Sequence, residues 1–263
     1  MNMIKLENVS YSYDGLEALR GIEIEIAAGE AVALMGANGC GKSTLLKLIN
    51  GIVLPDSGRY LFDGEEITRK KMGGSLFSKS FHRRIGFAFQ NAETQLFCAD
   101  VFDEVAFGPR QMGMDEAEVA ARTDECLELL GIANLRNRQP YHLSGGEKRK
   151  VAVAAVLSLN PDVLTLDEPM NGLDPRTQRT LVELFVKLNR AGKTLITSTH
   201  NLELVLELST RAILFNEDHT IAADMPTEEL LKDVELLKKV NLVDEFYHQH
   251  VGKEHSHFHT HAI

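Results

Sequence analysis

The stretch GANGCGKS, from Gly36 to Ser43, follows the short apolar segment AVALM at Ala31–Met35. It fits the pattern GxxxxGK[ST] in full. The glycines permit backbone conformations that turn successive N–H groups toward one centre. The N-terminus of the next helix, predicted at residues 43–50, adds further N–H groups. The stretch therefore predicts a loop that binds nucleotide phosphates between a buried strand and a helix.

Two side chains of this loop supply specific chemistry. Lys42 brings a positive charge to the β and γ phosphates, and the Ser43 hydroxyl coordinates Mg²⁺. The alternative is a Gly-rich turn with a chance Lys-Ser, which the strand and helix on either side disfavour. The predicted cofactors are ATP and Mg²⁺, and the predicted binding residues of this region are Gly36, Ala37, Asn38, Gly39, Cys40, Gly41, Lys42, Ser43 and Thr44.

An acidic pair, Asp167-Glu168, ends a second apolar stretch at residues 163–166. Ligands bind at the carboxyl ends of strands in open α/β sheets, so this strand delivers Asp167 to the Mg²⁺ region. Glu168 then lies beside the γ-phosphate, where a carboxylate can orient or deprotonate the attacking water. The alternative is a strand that ends in solvated acids. Together with the loop, the pair predicts a P-loop nucleotidase.

The rest of the chain alternates between strand and helix patterns, which predicts a parallel sheet with helices packed on it. Ile22, Ile24 and Ile26 alternate with glutamates, as in a half-exposed strand. Residues 99–132 are mostly helical in pattern, with breaks expected at Gly108-Pro109 and Gly113. The basic stretch at residues 68–84 is typical of a surface segment.

Composition excludes several classes of protein. The 263 residues carry a net charge of −10, which argues against broad binding of nucleic-acid backbones. Three scattered cysteines favour reduced thiols, and Cys40 is expected to be a small packing residue of the loop. The longest apolar run, residues 151–157, is too short to span a membrane, and the N-terminus lacks a signal-peptide pattern. We therefore expect any membrane association to depend on a partner.

A second glycine-rich segment, Leu143-Ser144-Gly145-Gly146-Glu147, precedes a helix predicted at residues 144–159. Glycines at a helix start expose N–H groups, and Ser144 can cap the helix or bind an anion. One ATP does not need two such surfaces from one chain. We therefore expect a dimer in which the segment of one subunit closes over the loop of the other, while the alternative is a simple N-cap.

With these motifs in this order, residues 3 to about 235 resemble the ATP-binding cassette (ABC) family. The resemblance implies a RecA-like parallel-sheet core, an N-terminal antiparallel β subdomain and a helical insertion at about residues 92–143, all within a domain of residues 1–240. The resemblance also implies roles for single residues. Tyr13 would stack on adenine and His200 would contact the γ-phosphate. Gln90 would contact Mg²⁺ or its water and sense a membrane partner, and Asp174 would bridge the dimer. The implied catalytic residues are Glu168, His200 and Gln90, and the implied Mg²⁺ ligands are Ser43, Gln90 and Asp167. Two departures, Glu147 in place of the commoner Gln and residues 169–171 as Pro-Met-Asn, leave catalysis intact in this interpretation.

Two further stretches, residues 86–97 and 103–109, are similar to the energy-coupling-factor branch of the family. That branch imports vitamins, cobalt and nickel with a membrane coupling protein and a substrate-binding membrane protein. The resemblance places the chain on the cytoplasmic face of the membrane as a peripheral subunit and puts Phe97 where the coupling helices dock, although Leu96 and Phe97 could equally be core residues.

The C-terminal tail, residues 241–263, is rich in histidine and is expected to be disordered. Imidazole suits nickel and cobalt, so the run His255, His257, His259 and His261 favours a metal importer with a loosely binding tail. A vitamin importer and a soluble cluster-assembly ATPase remain open alternatives, as does pairing with an identical or a related cassette.

Overall fold

A computed structural model describes residues 2–243. Ten strands form two sheets: β1 (Asn2–Tyr13), β2 (Leu16–Ala27), β3 (Ala31–Met35), β4 (Ser57–Phe62), β5 (Glu65–Glu66), β6 (Ile85–Ala88), β7 (Val163–Asp167), β8 (Thr194–Ser198), β9 (Arg211–Phe215) and β10 (Ile221–Pro226). The helices are α1 (Lys42–Ile49), α2 (Arg69–Met72), α3 (Ser75–Arg84), α4 (Val101–Gln111), α5 (Glu116–Leu129), α6 (Gly145–Leu157), α7 (Pro175–Arg190), α8 (Leu202–Leu208), α9 (Thr227–Leu230) and α10 (Val234–Lys239). The α/β class that the sequence predicts is confirmed.

The larger sheet has the strand order β10-β9-β3-β8-β7-β6, and only the β9–β10 pair is antiparallel. Every residue of β3, β7 and β8 is buried, as expected for parallel strands covered on both faces. Strand β8 lies between β3 and β7. The phosphate-loop stretch after β3 and the acidic pair after β7 therefore emerge at the same edge of the sheet, with the end of β8 between them.

The smaller sheet, β2-β1-β4-β5, is antiparallel. Ile22, Ile24 and Ile26 of β2 are buried and the glutamates between them are exposed, so the predicted alternation is confirmed. These isoleucines share one apolar core with Leu45 of α1 and Ile213 of β9. The core fixes α1, and thus the phosphate-loop stretch before it, between the two sheets.

Helices α4 and α5 pack on α6 in a helical region beside the large sheet. The predicted break at Gly113 is confirmed, but the one at Gly108-Pro109 is wrong, because α4 continues through both residues to Gln111. A Cβ on Gly108 would stand 3.2 Å from the Leu159 side chain, so the glycine lets α4 approach the end of α6 closely. Pro109 is buried in the last turn of α4, where its ring removes one backbone hydrogen bond.

Within residues 2–243, no helix is long and apolar enough to cross a membrane. The basic stretch at residues 68–84 contains α2 and α3, and its Phe81 is buried against Tyr60 and Phe62. This stretch is a two-helix surface element that Phe81 anchors to the core, with Met72 and Phe77 also packed against that core.

Candidate nucleotide site

The loop between β3 and α1 has the backbone that its glycines predict. Gly36, Gly39 and Gly41 have φ values of 144°, 84° and 114°, in the region that favours glycine. A Cβ on Gly41 would stand 2.5 Å from the Ala18 carbonyl oxygen. A residue other than glycine at position 41 would therefore require the backbone of β2 to move.

Lys42 is buried beneath the loop, with 7% of its surface exposed. Its ammonium donates to the carbonyl oxygens of Gly36 at 2.7 Å and Ala37 at 2.9 Å. Cys40 is also buried, and burial raises the pKa of its thiol. Cys40 therefore packs within the loop as a neutral side chain, and Lys42 supplies the positive charge.

Asp167 joins the loop to the neighbouring strands. Its Oδ1 accepts from the Ser43 hydroxyl at 3.1 Å and from the Ser198 hydroxyl, at the end of β8, at 2.6 Å. Asp167 is 6% exposed, so little water reaches this carboxylate. The three oxygens form a compact set of hard donors, the type that Mg²⁺ prefers.

Glu168 follows Asp167 in a left-handed conformation, with φ at 44°, which is uncommon for a residue with a side chain. Its N–H donates to the Ser198 carbonyl oxygen at 3.1 Å and to the Ser198 hydroxyl at 3.0 Å. Glu168 Oε1 lies 2.9 Å from His200 Nδ1. The turn thus carries the Glu168 side chain away from the sheet and against the imidazole.

These residues line one cavity of about 380 Å³. Its lining residues are Asn38, Gly39, Gly41, Lys42, Ser43, Thr44, Gln90, Asp167, Glu168, Asn171 and His200. The structure therefore brings the three candidate catalytic residues and the three candidate Mg²⁺ ligands to one place.

Tyr13 lies outside this list of lining residues but close to α1. Its ring is 39% exposed, and Lys47 Nζ of α1 lies 5.9 Å from the ring centroid. Tyr11 packs edge-on against it, with ring centroids 4.9 Å apart. Tyr13 therefore offers an exposed aromatic surface beside the helix that the phosphate loop begins.

The segment Ser144–Glu147 also lies apart from the cavity, at the start of α6. Ser144 and Glu147 form a capping box, in which the Ser144 N–H and hydroxyl both donate to Glu147 Oε2 at 2.8 Å. These bonds lower the pKa of Glu147. The departure from Gln at this position thus places an ionised carboxylate at the surface of the segment.

Asp174 stands next to this segment rather than in the cavity. It caps α7, and the Thr177 hydroxyl and N–H lower its pKa. A Cβ on Gly146 would stand 3.7 Å from Asp174 Oδ2. Asp174 and Gly146 therefore share one exposed surface of the chain.

Three residues that bear on the site have no motif of their own in the sequence: Ser198, Asn171 and Arg149. The Ser198 hydroxyl forms hydrogen bonds with the Asp167 carboxylate and with the Glu168 N–H. The sequence feature that could have indicated this residue is a polar side chain at the end of a buried strand. Asn171 lines the cavity, although the sequence analysis treated its stretch only as a departure from the family pattern. Arg149 is 5% exposed in α6 and donates to the Phe89 and Gln90 carbonyl oxygens. The sequence feature that could have indicated Arg149 is a charged residue just before the apolar run at residues 151–157.

Residues 2–243 contain no group of three or more His, Cys, Asp or Glu side chains that could hold a metal ion. The predicted histidine cluster, His255 to His261, lies outside the described residues, as does most of the predicted disordered tail.

The chain is similar in sequence and in fold to several known proteins. The family model described as ABC transporter matches residues 19–171. The nickel import ATP-binding protein LarO of Lactiplantibacillus plantarum is 45% identical over 228 residues, which are 87% of this chain and 95% of LarO. The solved structure of cbiO1 from Clostridium perfringens, described as part of the ABC transporter complex cbiONQ, is 37% identical with a TM-score of 0.78, covering 92% of this chain and 95% of cbiO1. The dimeric ATP-binding cassette MJ0796 bound to ADP and Pi is 28% identical with a TM-score of 0.76, covering 86% and 99%.

Proposed function

The chain belongs to the ABC transporter family, as an ATP-hydrolysing subunit, and from this premise we propose that it drives import of nickel or cobalt ions in an energy-coupling-factor complex. The observation that carries the choice of cargo is the 45% identity to a nickel import ATP-binding protein across 87% of the chain. The similarity to cbiO1, part of cbiONQ, supports the same type of complex. In this proposal residues 1–240 form the cassette, residues 92–143 its helical insertion and residues 241–263 a separate tail.

The loop from Gly36 to Thr44 holds the phosphates of ATP, and Tyr13 stacks on adenine. Lys42 would exchange its bonds to the Gly36 and Ala37 carbonyls for phosphate oxygens, which are stronger acceptors. Ser43 and Asp167 fit Mg²⁺ because their oxygens already lie 3.1 Å apart at the buried end of the cavity, and Gln90 adds an amide oxygen in the cavity wall. When bound, Mg²⁺ neutralises charge on the phosphates.

Glu168 is the residue we assign to the attacking water. It can accept a hydrogen bond from that water and take its proton, while His200, 2.9 Å from Glu168 Oε1, orients the carboxylate and reaches the γ-phosphate. Ser198 prevents the Glu168 backbone from relaxing, because it binds the Glu168 N–H with two oxygens. Thus the strained turn is held in place before ATP arrives.

A second cassette completes the site. Gly146 and Asp174 share an exposed surface, so the segment Ser144–Glu147 of one subunit would close over the ATP of the other, with Asp174 at the contact. The similarity to MJ0796, solved as a dimer, supports this arrangement. The partner cassette can be identical or a relative.

The membrane partners bind beside Gln90. Phe97 and Phe107 are 68% and 42% exposed, and their rings meet edge to face with centroids 5.0 Å apart. This pair therefore belongs to the surface rather than to the core. We assign it to the dock of the membrane coupling protein, which in turn would hold the chain at the cytoplasmic face, next to a substrate-binding membrane protein.

The transport assay tests the proposal as a whole. Vesicles that contain the chain with its membrane partners should take up radioactive nickel or cobalt when ATP is supplied, and Glu168→Gln should abolish uptake. Uptake of a vitamin in place of either ion would refute the cargo. Recovery of the chain only with soluble scaffold proteins would refute the membrane role and favour the cluster-assembly ATPase.

The histidine tail is tested separately by equilibrium dialysis against Ni²⁺ and Co²⁺. The full chain should bind more ion than a version that ends at Phe246. Equal weak binding by both would refute a metal-binding tail and leave the ATPase assignment unaffected.

A further inference from the structure

A buried arginine connects the signature helix to the strand end that carries Gln90. Arg149 lies in the second turn of α6, is 5% exposed and donates from its two terminal nitrogens to the carbonyl oxygens of Phe89 and Gln90. Within residues 2–243, these two carbonyls are the hydrogen-bond partners that the structure gives it. A guanidinium thus occupies a buried position with backbone oxygens in place of a carboxylate.

Stability alone does not account for this arrangement. Removing a guanidinium from water is costly, and an apolar side chain of similar volume is often at least as stabilising. Burial lowers the pKa of Arg149, and the charge of Asp167 acts in the opposite direction. The cation therefore has a long-range electrostatic partner in the nucleotide site, although its direct bonds go to the peptide of Gln90.

Two neighbouring contacts strengthen the same connection. Gln95 accepts from the Phe89 N–H at 3.3 Å and donates to the Ala152 carbonyl oxygen of α6 at 3.2 Å. Lys148 of α6 forms an ion pair with Glu93. The Phe89 carbonyl is therefore bound by Arg149 of α6, and the Phe89 N–H is bound by Gln95, which is itself hydrogen-bonded to α6.

The position of Gln90 gives this connection a functional meaning. Gln90 lines the cavity with Asp167, while Arg149 lies only one helical turn after the Ser144–Glu147 segment that begins α6. We propose that Arg149 is a positioning residue, which sets Gln90 against the nucleotide site and ties its position to that of the Ser144–Glu147 segment. The inference rests on the proposed function, because it assigns to Gln90 a role in ATP turnover.

The chemistry of the side chain suits this task. The guanidinium is a rigid planar fork that binds two carbonyls at once, so it fixes the two peptide groups that flank the Gln90 Cα. Contact between α6 and a second cassette would then displace Gln90 directly. A single-point donor such as Lys would hold one carbonyl and leave the other peptide group without that bond.

Arg149→Met, in the full-length chain, tests the inference. We expect kcat for ATP to fall about tenfold or more and the Mg²⁺ concentration for half-maximal turnover to rise several-fold, while ATP binding without Mg²⁺ changes less than about twofold. Arg149→Lys should recover part of the turnover. A matched control is Arg136→Met, which removes a helical-region arginine bound to Asp124 at 2.8 Å and stacked on Phe102, and which should leave turnover and Mg²⁺ dependence within about twofold.

Gln90→Ala separates this inference from the proposed function. It should lower turnover, and adding Arg149→Met should not lower it further, because Arg149 acts through Gln90. If Gln90→Ala is defective but Arg149→Met has normal kcat and Mg²⁺ dependence, the inference is overturned and the proposed function stands. Normal turnover of Gln90→Ala overturns the inference and also the role in ATP turnover that the proposed function gives to Gln90. Circular dichroism checks each variant first, and Arg149→Gln replaces Arg149→Met if the latter does not fold.

Discussion

The chain has two glycine-rich helix starts, and they are built in opposite ways. Before α1, Gly36, Gly39 and Gly41 have positive φ values, and the helix begins at a glycine that has no side chain to cap it. At the start of α6, Gly145 and Gly146 belong to the helix itself and do not have positive φ values, and a capping box satisfies the N-terminus from within the chain.

The difference indicates which segment can bind a ligand within one chain and which needs a second chain. The loop before α1 borders a cavity that Lys42 also lines, so we assign it to phosphate binding within this chain. The start of α6 is already satisfied and lies at the surface, where its glycines allow another molecule to approach closely. In the proposed function, the first segment receives the phosphates and the second meets another cassette. The following predictions test that division.

The largest effect is expected from Glu168→Gln. Loss of a general base lowers turnover by about 100-fold or more, while ATP binding persists because the phosphate loop is intact. With hydrolysis blocked, ATP should hold two chains together, which size-exclusion chromatography with and without ATP would detect. Near-normal hydrolysis would refute the role of Glu168. Absence of a dimer would refute the assignment of the Ser144–Glu147 segment to contact with a second chain.

Lys42→Ala should weaken nucleotide binding itself. It removes a charged hydrogen-bond donor worth about 1.5–3 kcal/mol, so the Kd for ATP should rise about tenfold or more. Isothermal titration calorimetry measures the change in the Kd for ATP. Lys193→Ala is the control, because Lys193 precedes β8 at the opposite edge of the sheet and binds the Asn160 carbonyl at 3.2 Å.

A matched pair, Gly41→Ala and Gly145→Ala, compares the two helix starts directly. In Gly41→Ala, the strained φ and the contact with Ala18 should cost about 2 kcal/mol of unfolding free energy or more and abolish ATP binding. In Gly145→Ala, the added Cβ meets nothing within 4 Å in the chain, so stability and ATP binding should stay within about 0.5 kcal/mol.

Turnover should nevertheless fall several-fold in Gly145→Ala, because the methyl group faces the second cassette. Urea unfolding, ATP titration and steady-state hydrolysis give the three quantities. Unchanged turnover would show that the α6 start is only a capped helix.

The smallest effect is expected from Glu147→Gln. It removes a negative charge from the segment that meets the second chain's phosphates, so ATP-dependent dimerisation should strengthen a few-fold, while stability at pH 7 falls by less than about 1 kcal/mol. The folded-state pKa of Glu147 is lowered, so its stabilising contribution is present above the unfolded pKa of about 4.3 and is lost as the pH falls through the folded value.

The stability difference between wild type and Glu147→Gln should therefore be constant from pH 7 to about 5 and shrink below about pH 4. Urea unfolding at pH 7 and pH 3.5 measures it. A difference that grows toward acid would contradict the capping role.

Much of the site was predictable from the sequence because its motifs are local. The strand, loop and helix around Gly36 to Ser43 occupy consecutive residues, and the acidic pair follows its own buried strand. The break assigned to Gly108-Pro109 failed for the complementary reason. Local propensity disfavours a helix there, but Gly108 allows contact with Leu159, which lies far along the chain.

The sequence by itself determined the chemistry: a phosphate loop, two acids, a glutamine, a histidine and a second glycine-rich segment in the order of a known family. Only the tertiary structure decided how these parts are held. The Ser198 hydroxyl reaches Asp167 because β8 inserts between β3 and β7, and Arg149 reaches the Gln90 peptide because α6 packs beside the end of β6. The local patterns around Ser198 and Arg149 do not reveal their partners, since those partners become neighbours only when the sheet and the helices assemble.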